Sequence, residues 1–583
     1  MTRTAARILL VAAALAPAGY LVRMVTTYWV NVPNMDQWGI SQVFLWHHDD
    51  TLSFGKLLTQ HNESRKVFPR LIFLGLGLLS GWDVRWEMAL SMAVVGLVSL
   101  NLLLLLRKQR SLGLGWRLGI WAVLNIVLFS PVQWNNWLWG IQLVVFIPPL
   151  MLTAGLLITS SALPAWRKAI LVSLLSFIAT FSYANGMLLW ILLLPLDLVG
   201  IRRQQAPRFH LGHLWMARAW YALTWASTMI LYFHDYHRPP GKPSMRLVLE
   251  RPLDALHYFL AWHGSVVVPK GTTFTADVRA ACGVVVLGLF IACVAIARRR
   301  KAVGASYPWI VLGLYSVVSG VITTIGRMGL GIHQAADSRY TSFSLYVLVA
   351  IGGMLPLVVG ALPRRSGRSL VGVAGCVAGG ALLAFLHIRA VDASRRAIEN
   401  FTVGLLEGRL ALALHTVYPD TGRLVLLHPN ASFVLRRYGQ LRTMGLLDVD
   451  APTPTLRWKD RQRLDQGDPA WGCFDRCALV SHDQLRFWGW VRNPLRHAPG
   501  SNVVLVATNW RGVSRPFAIR QVGLPRPDVA ELLGEPDLRQ CGFSGQADVR
   551  SLNVGPVEIS AWTVDMCSGE THQIGGTHVV VRQ

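Results

Sequence analysis

Charged residues are scarce in this chain of 583 residues, since they make up 15% of it while hydrophobic residues make up 52%. The mean hydropathy is +0.40, which excludes a soluble chain because most of the apolar surface would find no core to enter. The sequence also lacks a phosphate-binding glycine loop, a paired CxxC site, a Ser/His/Asp elbow and a solenoid-length repeat. These absences argue against nucleotide-driven chemistry.

Apolar runs near the ~20-residue length of a membrane span recur from residue 6 to residue 388 and then stop. They predict about eleven crossings, at 6–26, 86–106, 118–131, 141–160, 168–182, 184–200, 214–233, 278–297, 306–325, 341–361 and 369–388. The predicted fold class is a polytopic α-helical membrane protein with a C-terminal mostly-β domain. Its parts are a transmembrane domain over 1–388, a mixed connector over 389–469 and a β-sandwich over 470–583.

Basic clusters in short loops predict the orientation, because Lys and Arg are held on the cytoplasmic side. The clusters are Arg107, Lys108 and Arg110; Arg167 and Lys168; Arg202 and Arg203; Arg298, Arg299, Arg300 and Lys301; and Arg364, Arg365 and Arg368. All fall in alternate loops, which places the N-terminus in the cytoplasm and 389–583 in the periplasm of a bacterial inner membrane. Arg3 and Arg7 resemble a signal-peptide start, but without a clear cleavage site we expect a retained first helix.

The net charge of +25 is concentrated in the membrane part. From residue 389 onward there are 23 basic and 19 acidic residues, or +4, which leaves +21 for the residues before. This distribution fits cytoplasmic loops and anionic headgroups and gives no reason to expect a nucleic-acid partner. Of the twelve acidic residues before 389, all but Asp197 fall on the predicted outer side, so carboxylate chemistry is expected there.

The first outer loop, 27–85, holds the densest polar chemistry of the membrane part. It contains Asp36 in NMDQW, HHDD at 47–50 and HNESRKVFPR at 61–70. The run 67–80 is too short for a crossing and predicts an interfacial or re-entrant helix introduced by Pro69.

This order of elements resembles the C-type glycosyltransferases (GT-C), polytopic enzymes that use polyprenyl-phosphate sugars. The resemblance covers residues 1–200 by layout, and by motif it covers Asp36 and the stretch HNESRKVFPRLIFLGLGLLSGWD, in which Ser64 stands where related proteins usually have His. It implies that Asp36 is the catalytic base for an inverting displacement. A cap on a loop helix is the alternative role for Asp36.

Neighbouring loop residues are candidates for binding the acceptor or orienting Asp36. They are His61, Glu63 and Arg65, although Arg65 would also suit an interfacial position, as would Lys66 and Arg70. Asp49 and Asp50 could bind a divalent ion, but a solvated loop face is favoured and no metal site is predicted.

The segment 326–342, GRMGLGIHQAADSRYTS, is the second candidate, because basic residues are expected to be rare on the outer side. Arg327, Arg339 and Tyr340 would bind a lipid phosphate through bidentate arginine contacts. A salt bridge from Arg339 to Asp337 is the competing explanation. Asn135, Asn136 and Asn185 are further candidates for a substrate cavity.

The C-terminal strand pattern resembles accessory β-domains of bacterial glycosyltransferases, which implies a carbohydrate-holding role. Candidate stacking residues are Trp488, Trp490, Trp510 and Trp562, about half of which alternation would bury. Cys473, Cys477, Cys541 and Cys567 permit two disulfides in an oxidising compartment, with three connectivities open; pairing Cys473 with Cys477 and Cys541 with Cys567 is one of them.

The resulting prediction is a membrane glycosyltransferase that moves a sugar from a polyprenyl-phosphate donor to an envelope glycan or lipid-linked acceptor on the periplasmic face. Its expected partners are the membrane lipid and the glycan acceptor, with no further cofactor indicated. An O-antigen polymerase or ligase is the neighbouring alternative. A transporter or flippase of lipid-linked sugars is the alternative from another class, and it would carry its polar residues deep within the crossings.

Overall fold

A computed structural model describes most of the chain in two compact units, Met1–Thr402 and Val403–Gln583. The residues described are 3–109, 112–195, 211–239, 241, 243–359, 367–413, 415, 421–447, 467–494, 498–500, 502–509, 511–512, 514–550, 552–564 and 571–582. Several residues considered above lie outside them, namely Arg110, Asp197, Arg202, Arg203, Arg364, Arg365, Trp510 and Cys567.

The first unit is built from helices. In chain order they are α1 (Arg3–Tyr28), α2 (Asp36–Ile40), α3 (Gln42–His48), α4 (Phe54–Leu57), α5 (Val67–Ser80), α6 (Arg85–Arg107), α7 (Leu114–Leu128), α8 (Trp134–Leu138), α9 (Leu143–Thr159), α10 (Ala165–Thr180), α11 (Leu189–Leu192), α12 (Leu211–Phe233), α13 (Leu247–Glu250), α14 (Pro252–Gly264), α15 (Ala276–Arg299), α16 (Val303–Arg327), α17 (Ser338–Val359) and α18 (Gly367–Ala413). Strands β1 (Gln60–His61) and β2 (Ser64–Arg65) form a small antiparallel hairpin before α5.

Seven helical segments among the described residues are long and apolar enough to cross a membrane. They are Thr4–Tyr28, Arg85–Arg107, Leu114–Leu138, Gly140–Thr159, Ala276–Arg299, Val303–Leu330 and Ser338–Leu357. The unit is therefore that of a multi-pass membrane protein, as the composition predicts. Predicted crossings at 168–182, 214–233 and 369–388 coincide with α10, α12 and part of α18.

The predicted crossing at 184–200 is not one helix over its described part. Residues Ala184–Leu188 form a tight 3-10 turn, and α11 adds only four residues. Segment 67–80 forms the short helix α5, as expected, and ends at Gly81, whose positive φ of 64° terminates the helix. Its Leu79 side chain is 88% exposed, which suits contact with lipid.

Helices α14 and α15 approach each other at two glycines. A Cβ at Gly264 would collide with the Arg279 carbonyl oxygen, and a Cβ at Gly283 would collide with the Leu260 carbonyl oxygen. Small residues at such contacts let two helix backbones pack closely inside a membrane protein.

The second unit contains three short helices and the C-terminal sheet. The helices are α19 (Thr421–Leu424), α20 (Ala431–Thr443) and α21 (Pro527–Leu533); the strands are β3 (Asp468–Ser481), β4 (Gln484–Asn493), β5 (Ala498–Pro499), β6 (Asn502–Asn509), β7 (Ser514–Gln521), β8 (Gly542–Asp548), β9 (Gly555–Val564) and β10 (Thr571–Arg582). Alternating side chains of these strands pack a core around Phe487, Leu505 and Ile559.

The strands form one eight-stranded sheet, so the prediction of a two-sheet β-sandwich is wrong. Its order is β5-β4-β3-β10-β9-β6-β7, and β8 also pairs with β4, along the edge of β4 opposite to β3. Strands β3 and β10 are parallel, whereas the other pairs are antiparallel. Arg520 of β7 donates a hydrogen bond to the Gln546 carbonyl of β8, which draws the two ends together into a barrel-like sheet.

The three described cysteines of this domain are free thiols. Cys473 and Cys477 lie four residues apart on one strand, about 13 Å at the usual rise per residue. A disulfide needs Cα atoms within about 7 Å, so of the three connectivities left open, the one that pairs Cys473 with Cys477 is excluded.

The candidate stacking tryptophans differ in position. Trp562 is 9% exposed and packs in a cluster with Val504 and Ile519, and Trp490 packs against α21. Trp488 is half-buried, with the Arg476 guanidinium 5.5 Å from its ring centroid. Trp488 and Trp490 are thus both half-buried, whereas Trp562 is buried.

Candidate functional site

Asp36 begins α2 just beyond the first crossing and is half-buried. Its Oδ2 accepts a hydrogen bond of 2.8 Å from the Asn62 side-chain amide. The residue before it, Met35, has a φ of 46°, and Asn62 has a φ of 53°. Such left-handed conformations cost about 1–3 kcal/mol each and persist only where surrounding contacts hold them. Two strained positions therefore flank the Asp36 carboxylate.

A buried hydrogen-bond network holds the turn that carries Asp36. The Gln37 side chain donates to Glu87 Oε2 at 2.7 Å, and Trp82 Nε1 donates to Glu87 Oε1 at 2.9 Å. Glu87 and Gln37 are each 1% exposed. Gly140 lies against both, because a Cβ there would collide with Glu87 Oε2 and stand 2.8 Å from Gln37 Nε2. The carboxylate of α6 thereby fixes the backbone next to Asp36.

Arg65, which the sequence suggests as a substrate ligand, is 6% exposed and engaged with the backbone. It donates to the Tyr232 carbonyl at 2.6 Å and also to the carbonyls of Leu58 and His234. Arg70 does the same for the preceding loop, donating to the Leu57 carbonyl at 2.6 Å. These guanidiniums fasten the outer loop, which suits a structural role better than substrate binding.

Glu63 and Arg327 join the two candidate segments in an ion pair. Arg327 Nη2 lies 2.6 Å from Glu63 Oε1, and the two side chains are 21% and 34% exposed. Asn62, the neighbour of Glu63, bonds Asp36. A chain of four residues thus connects the predicted base with the predicted phosphate ligand.

The other residues of segment 326–342 extend this group of charges. Arg339 Nη2 lies 3.3 Å from Asp337 Oδ2, and Lys270 Nζ lies 2.8 Å from Asp337 Oδ1. The salt bridge from Arg339 to Asp337 that was the competing explanation is therefore present. The Nε atom of Arg339 is nevertheless buried, with no hydrogen-bond partner among the described residues. The Arg339 guanidinium also stacks 5.2 Å from the ring centroid of Tyr340, which is 7% exposed.

Tyr183 belongs to the same group, although sequence analysis did not select it within SYANG. Burial raises its pKa to about 12, and the charges of Arg327, Glu63 and Arg339 act on it together with Tyr340. Its hydroxyl therefore stays protonated and can donate a hydrogen bond at neutral pH.

Lys66 is 5% exposed and faces the carboxylates of the site. Burial lowers its pKa to about 8, while the charges of Asp36 and Glu63 raise it and Arg70 lowers it. The sequence suggests only an interfacial position for this lysine. A titratable cation near the predicted base is a functional candidate. The sequence alone does not indicate that Lys66 lies near Asp36, whereas the tertiary structure does.

His61 lies against Gly39, with its Cε1 3.2 Å from where a Cβ would stand. Burial, followed by the charges of Lys66 and Arg70, lowers the pKa of His61 to about 2. Its Nε2 is buried and has no described partner. The ring is therefore neutral at physiological pH and retains one polar atom for a ligand.

The candidate asparagines Asn136 and Asn185 are both buried, in different surroundings. Asn136 donates to the Arg339 carbonyl at 3.0 Å and to Ser342 Oγ at 2.7 Å, so it positions the start of α17. Asn185 is 6% exposed and follows Ala184, whose amide donates to Ser64 Oγ at 3.2 Å. Ser64 thereby ties the outer loop to the segment that carries Tyr183 and Asn185.

Asp49 and Asp50 are exposed and remote from these contacts. His48 Nδ1 lies 3.2 Å from Asp49 Oδ1. Within the described ranges, no three His, Cys, Asp or Glu residues are grouped as a metal site would require.

Together, the site offers the half-buried carboxylate of Asp36, two further carboxylates that pair with basic side chains, a neutral imidazole, a buried lysine, two arginines and two tyrosines. A carboxylate can accept a proton, and arginine and lysine can neutralise a phosphate. The arrangement suits displacement of a phosphate by a hydroxyl.

No protein-family model and no curated protein matches the sequence. The structure is similar to the crystal structure of ArnT from Cupriavidus metallidurans bound to undecaprenyl phosphate, with 14% sequence identity over 76% of each chain and a TM-score of 0.35.

Proposed function

We propose that the chain is a membrane glycosyltransferase that moves a sugar from a polyprenyl-phosphate donor to a hydroxyl of an envelope glycan or lipid-linked acceptor on the periplasmic face. The observation that supports it most is the connection from Asp36 through Asn62 and Glu63 to Arg327. It supports the proposal because it connects Asp36, the proposed proton acceptor, with Arg327, the proposed phosphate ligand, in one group of polar contacts.

In the proposed reaction, Asp36 accepts the proton of the acceptor hydroxyl as that oxygen bonds to the anomeric carbon. The bond from this carbon to the donor phosphate breaks, and its electron pair leaves with the phosphate oxygen. The products are the glycosylated acceptor and polyprenyl phosphate. Attack opposite the leaving group inverts the anomeric configuration, and the phosphate leaves without a general acid.

Arg327, Arg339 and Lys66 would neutralise the charge that develops on the leaving phosphate. Arg327 is held by Glu63 in the free protein, so the donor phosphate would compete with Glu63 for the guanidinium. Tyr183 is protonated at neutral pH, since the ordinary pKa of tyrosine already lies well above it and burial raises the pKa further, and its hydroxyl would donate a further hydrogen bond to a phosphate oxygen.

The acceptor side of the site would be formed by the outer loop. His61 has a free buried Nε2, and the neutral ring can bond a sugar hydroxyl without competing for the proton that Asp36 takes. Gly39 leaves the space that this ring fills. These contacts would orient the hydroxyl toward Asp36.

The test compares the envelope glycans of a deletion strain with those of its parent by mass spectrometry. One sugar substituent should disappear, and a wild-type plasmid copy should restore it, whereas a copy with Arg327→Gln and Arg339→Gln should not. Unchanged glycans in the deletion strain, under conditions in which the parent makes the protein, would contradict the proposal.

A binding measurement separates loss of donor binding from loss of folding. Purified Arg327→Gln should bind polyprenyl phosphate about tenfold more weakly, the loss expected for one charge-assisted contact. Arg85→Gln is a matched control, because Arg85 pairs with Asp83 at 2.6 Å in the same outer region. Equal weakening in both variants would show that Arg327 acts only through its general charge and makes no specific contact with the phosphate.

A further inference from the structure

A cavity lies in the first unit, between the end of α1 and the part of α18 that follows the last predicted crossing. It has a volume of about 270 Å³ and opens to the surface. Its lining comprises Tyr20, Arg23, Met24, Thr27, Tyr28, Pro131, Val391, Arg395 and Ile398. None of these residues takes part in the site described above.

The cavity combines an apolar floor with a cationic rim. Met24 and Ile398 are 8% and 1% exposed and form part of the floor. Arg23 makes no ion pair with any residue in the described part of the chain. Arg395 Nε lies 3.0 Å from Glu399 Oε1 in a pair whose side chains are 71% and 43% exposed. Arg23, Arg395 and Glu399 together give the rim a net charge of +1.

The position of these arginines is unusual for the predicted topology. Residue 23 lies near the outer end of the first crossing, and residue 395 follows the outer end of the last one, where basic residues are expected to be rare. An exposed ion pair such as Arg395–Glu399 contributes little stability and opens easily. Both guanidiniums can therefore turn toward an anion at the level of the lipid headgroups.

The surface below the cavity suits acyl chains. On the face of α1 that lines the cavity, Leu9 is 58% exposed and lies about three helical turns before Tyr20. Tyr20 lines the cavity on this same face and is 53% exposed, and tyrosine favours the interface between hydrocarbon and headgroups. The cavity is large enough for a small headgroup, while the chains would lie along α1.

We propose that this cavity binds the phosphodiester headgroup of an anionic membrane phospholipid, with Arg23 and Arg395 contacting the phosphate and the acyl chains lying along α1. A singly charged phosphodiester matches the charge of the rim. The site is separate from the proposed donor site and does not depend on the proposed function.

Native mass spectrometry of the full-length protein in detergent tests the proposal, with phosphatidylglycerol as the probe and phosphatidylcholine as the zwitterionic comparison. Phosphatidylglycerol should bind more tightly, and Arg23→Gln and Arg395→Gln should each weaken it about fivefold, the effect of one basic residue near an anionic headgroup. Arg396→Gln is the matched control, since Arg396 is the next residue on α18, pairs with Asp392 and does not line the cavity.

Three results would overturn the proposal. Equal weakening by Arg396→Gln would reduce the effect to general surface charge. Binding of free glycerol 3-phosphate as tight as that of the lipid would show that the acyl chains contribute nothing. Val391→Phe provides a second test in case the arginine variants misfold, because it fills the cavity without changing its charge. This variant should melt like the wild type and bind phosphatidylglycerol more weakly. Unchanged binding would also count against the site.

Discussion

Arg327 and Glu63, 264 residues apart in the sequence, form an ion pair of 2.6 Å. The pair connects the first outer loop with the segment that precedes α17. It therefore brings together the two stretches that sequence analysis selected separately, one for a catalytic base and one for a lipid phosphate.

The ion pair should be visible in a double-mutant cycle. Glu63→Gln and Arg327→Gln should each lower the melting temperature, because each leaves a half-buried charge without its partner. The double variant should melt no lower than the less stable single variant, with a coupling of about 1 kcal/mol. Strictly additive losses, measured by thermal unfolding in one detergent, would mean that the two side chains do not interact.

Gly140→Ala should reduce activity without touching substrate. The new methyl group would collide with Glu87 Oε2 and crowd Gln37, which should displace the turn that carries Asp36 at a cost of about 1–3 kcal/mol. We expect at least a tenfold lower transfer rate. Gly96→Ala is the control, since a Cβ at Gly96 meets no atom within 4 Å; similar losses in both variants would contradict this role of Gly140.

Lys66 should make donor binding depend on pH. Its pKa is lowered from 10.5 to about 8, chiefly by burial, so the ammonium is charged below about pH 8 and neutral above it. Binding of polyprenyl phosphate should therefore weaken as the pH rises through 8. Lys66→Arg, which stays charged, should bind equally across this range; a wild-type protein with no such dependence would exclude a phosphate contact from Lys66.

Stability should change in the opposite direction over the same range. Because the folded-state pKa lies below 10.5, the unfolded chain binds more protons between about pH 8 and 10.5, and the contribution of Lys66 to stability rises with pH. Thermal unfolding of the wild type and Lys66→Met at pH 7.5 and 9.5 isolates this contribution. A wild-type protein that loses stability relative to Lys66→Met on going to pH 9.5 would contradict the burial of this lysine.

The membrane orientation can be tested with reporter fusions. Fusions after Arg300 and Arg365 should report the cytoplasm, whereas fusions after Arg70 and within 389–583 should report the periplasm. A cytoplasmic C-terminal domain would place the proposed site on the wrong side for its donor.

The helical part of the fold was largely predictable because hydropathy and loop charge act locally along the chain. The segment 184–200 was not, since its apolar composition conceals the turn at Ala184–Leu188. Strand alternation predicted the β-domain but not its single sheet, because β8 joins β4 through pairing between distant residues such as Phe487 and Gly545.

Asp36 and Arg327 could be selected from the sequence because each residue type is unusual for its place in the predicted topology, and the structure connects the two through Asn62 and Glu63, while their roles stay predictions. Arg65 has the same chemistry but is bonded to the Tyr232 carbonyl, 167 residues away. Glu87 and Gln37 meet across 50 residues, and no spacing rule indicates such a pair. Contacts of this kind depend on helix packing, which a single sequence does not reveal.

The most direct measurement is sugar transfer from a polyprenyl-phosphate donor by purified Asp36→Asn protein. The substitute amide still accepts the Asn62 hydrogen bond but cannot take a proton, so transfer should fall by about 100-fold or more while melting and donor binding stay at wild-type values. Asp50→Asn, at an exposed position of the same loop, should retain most activity. Near-normal turnover by Asp36→Asn would contradict the role of Asp36 as the base, and Glu63 would then be the next candidate.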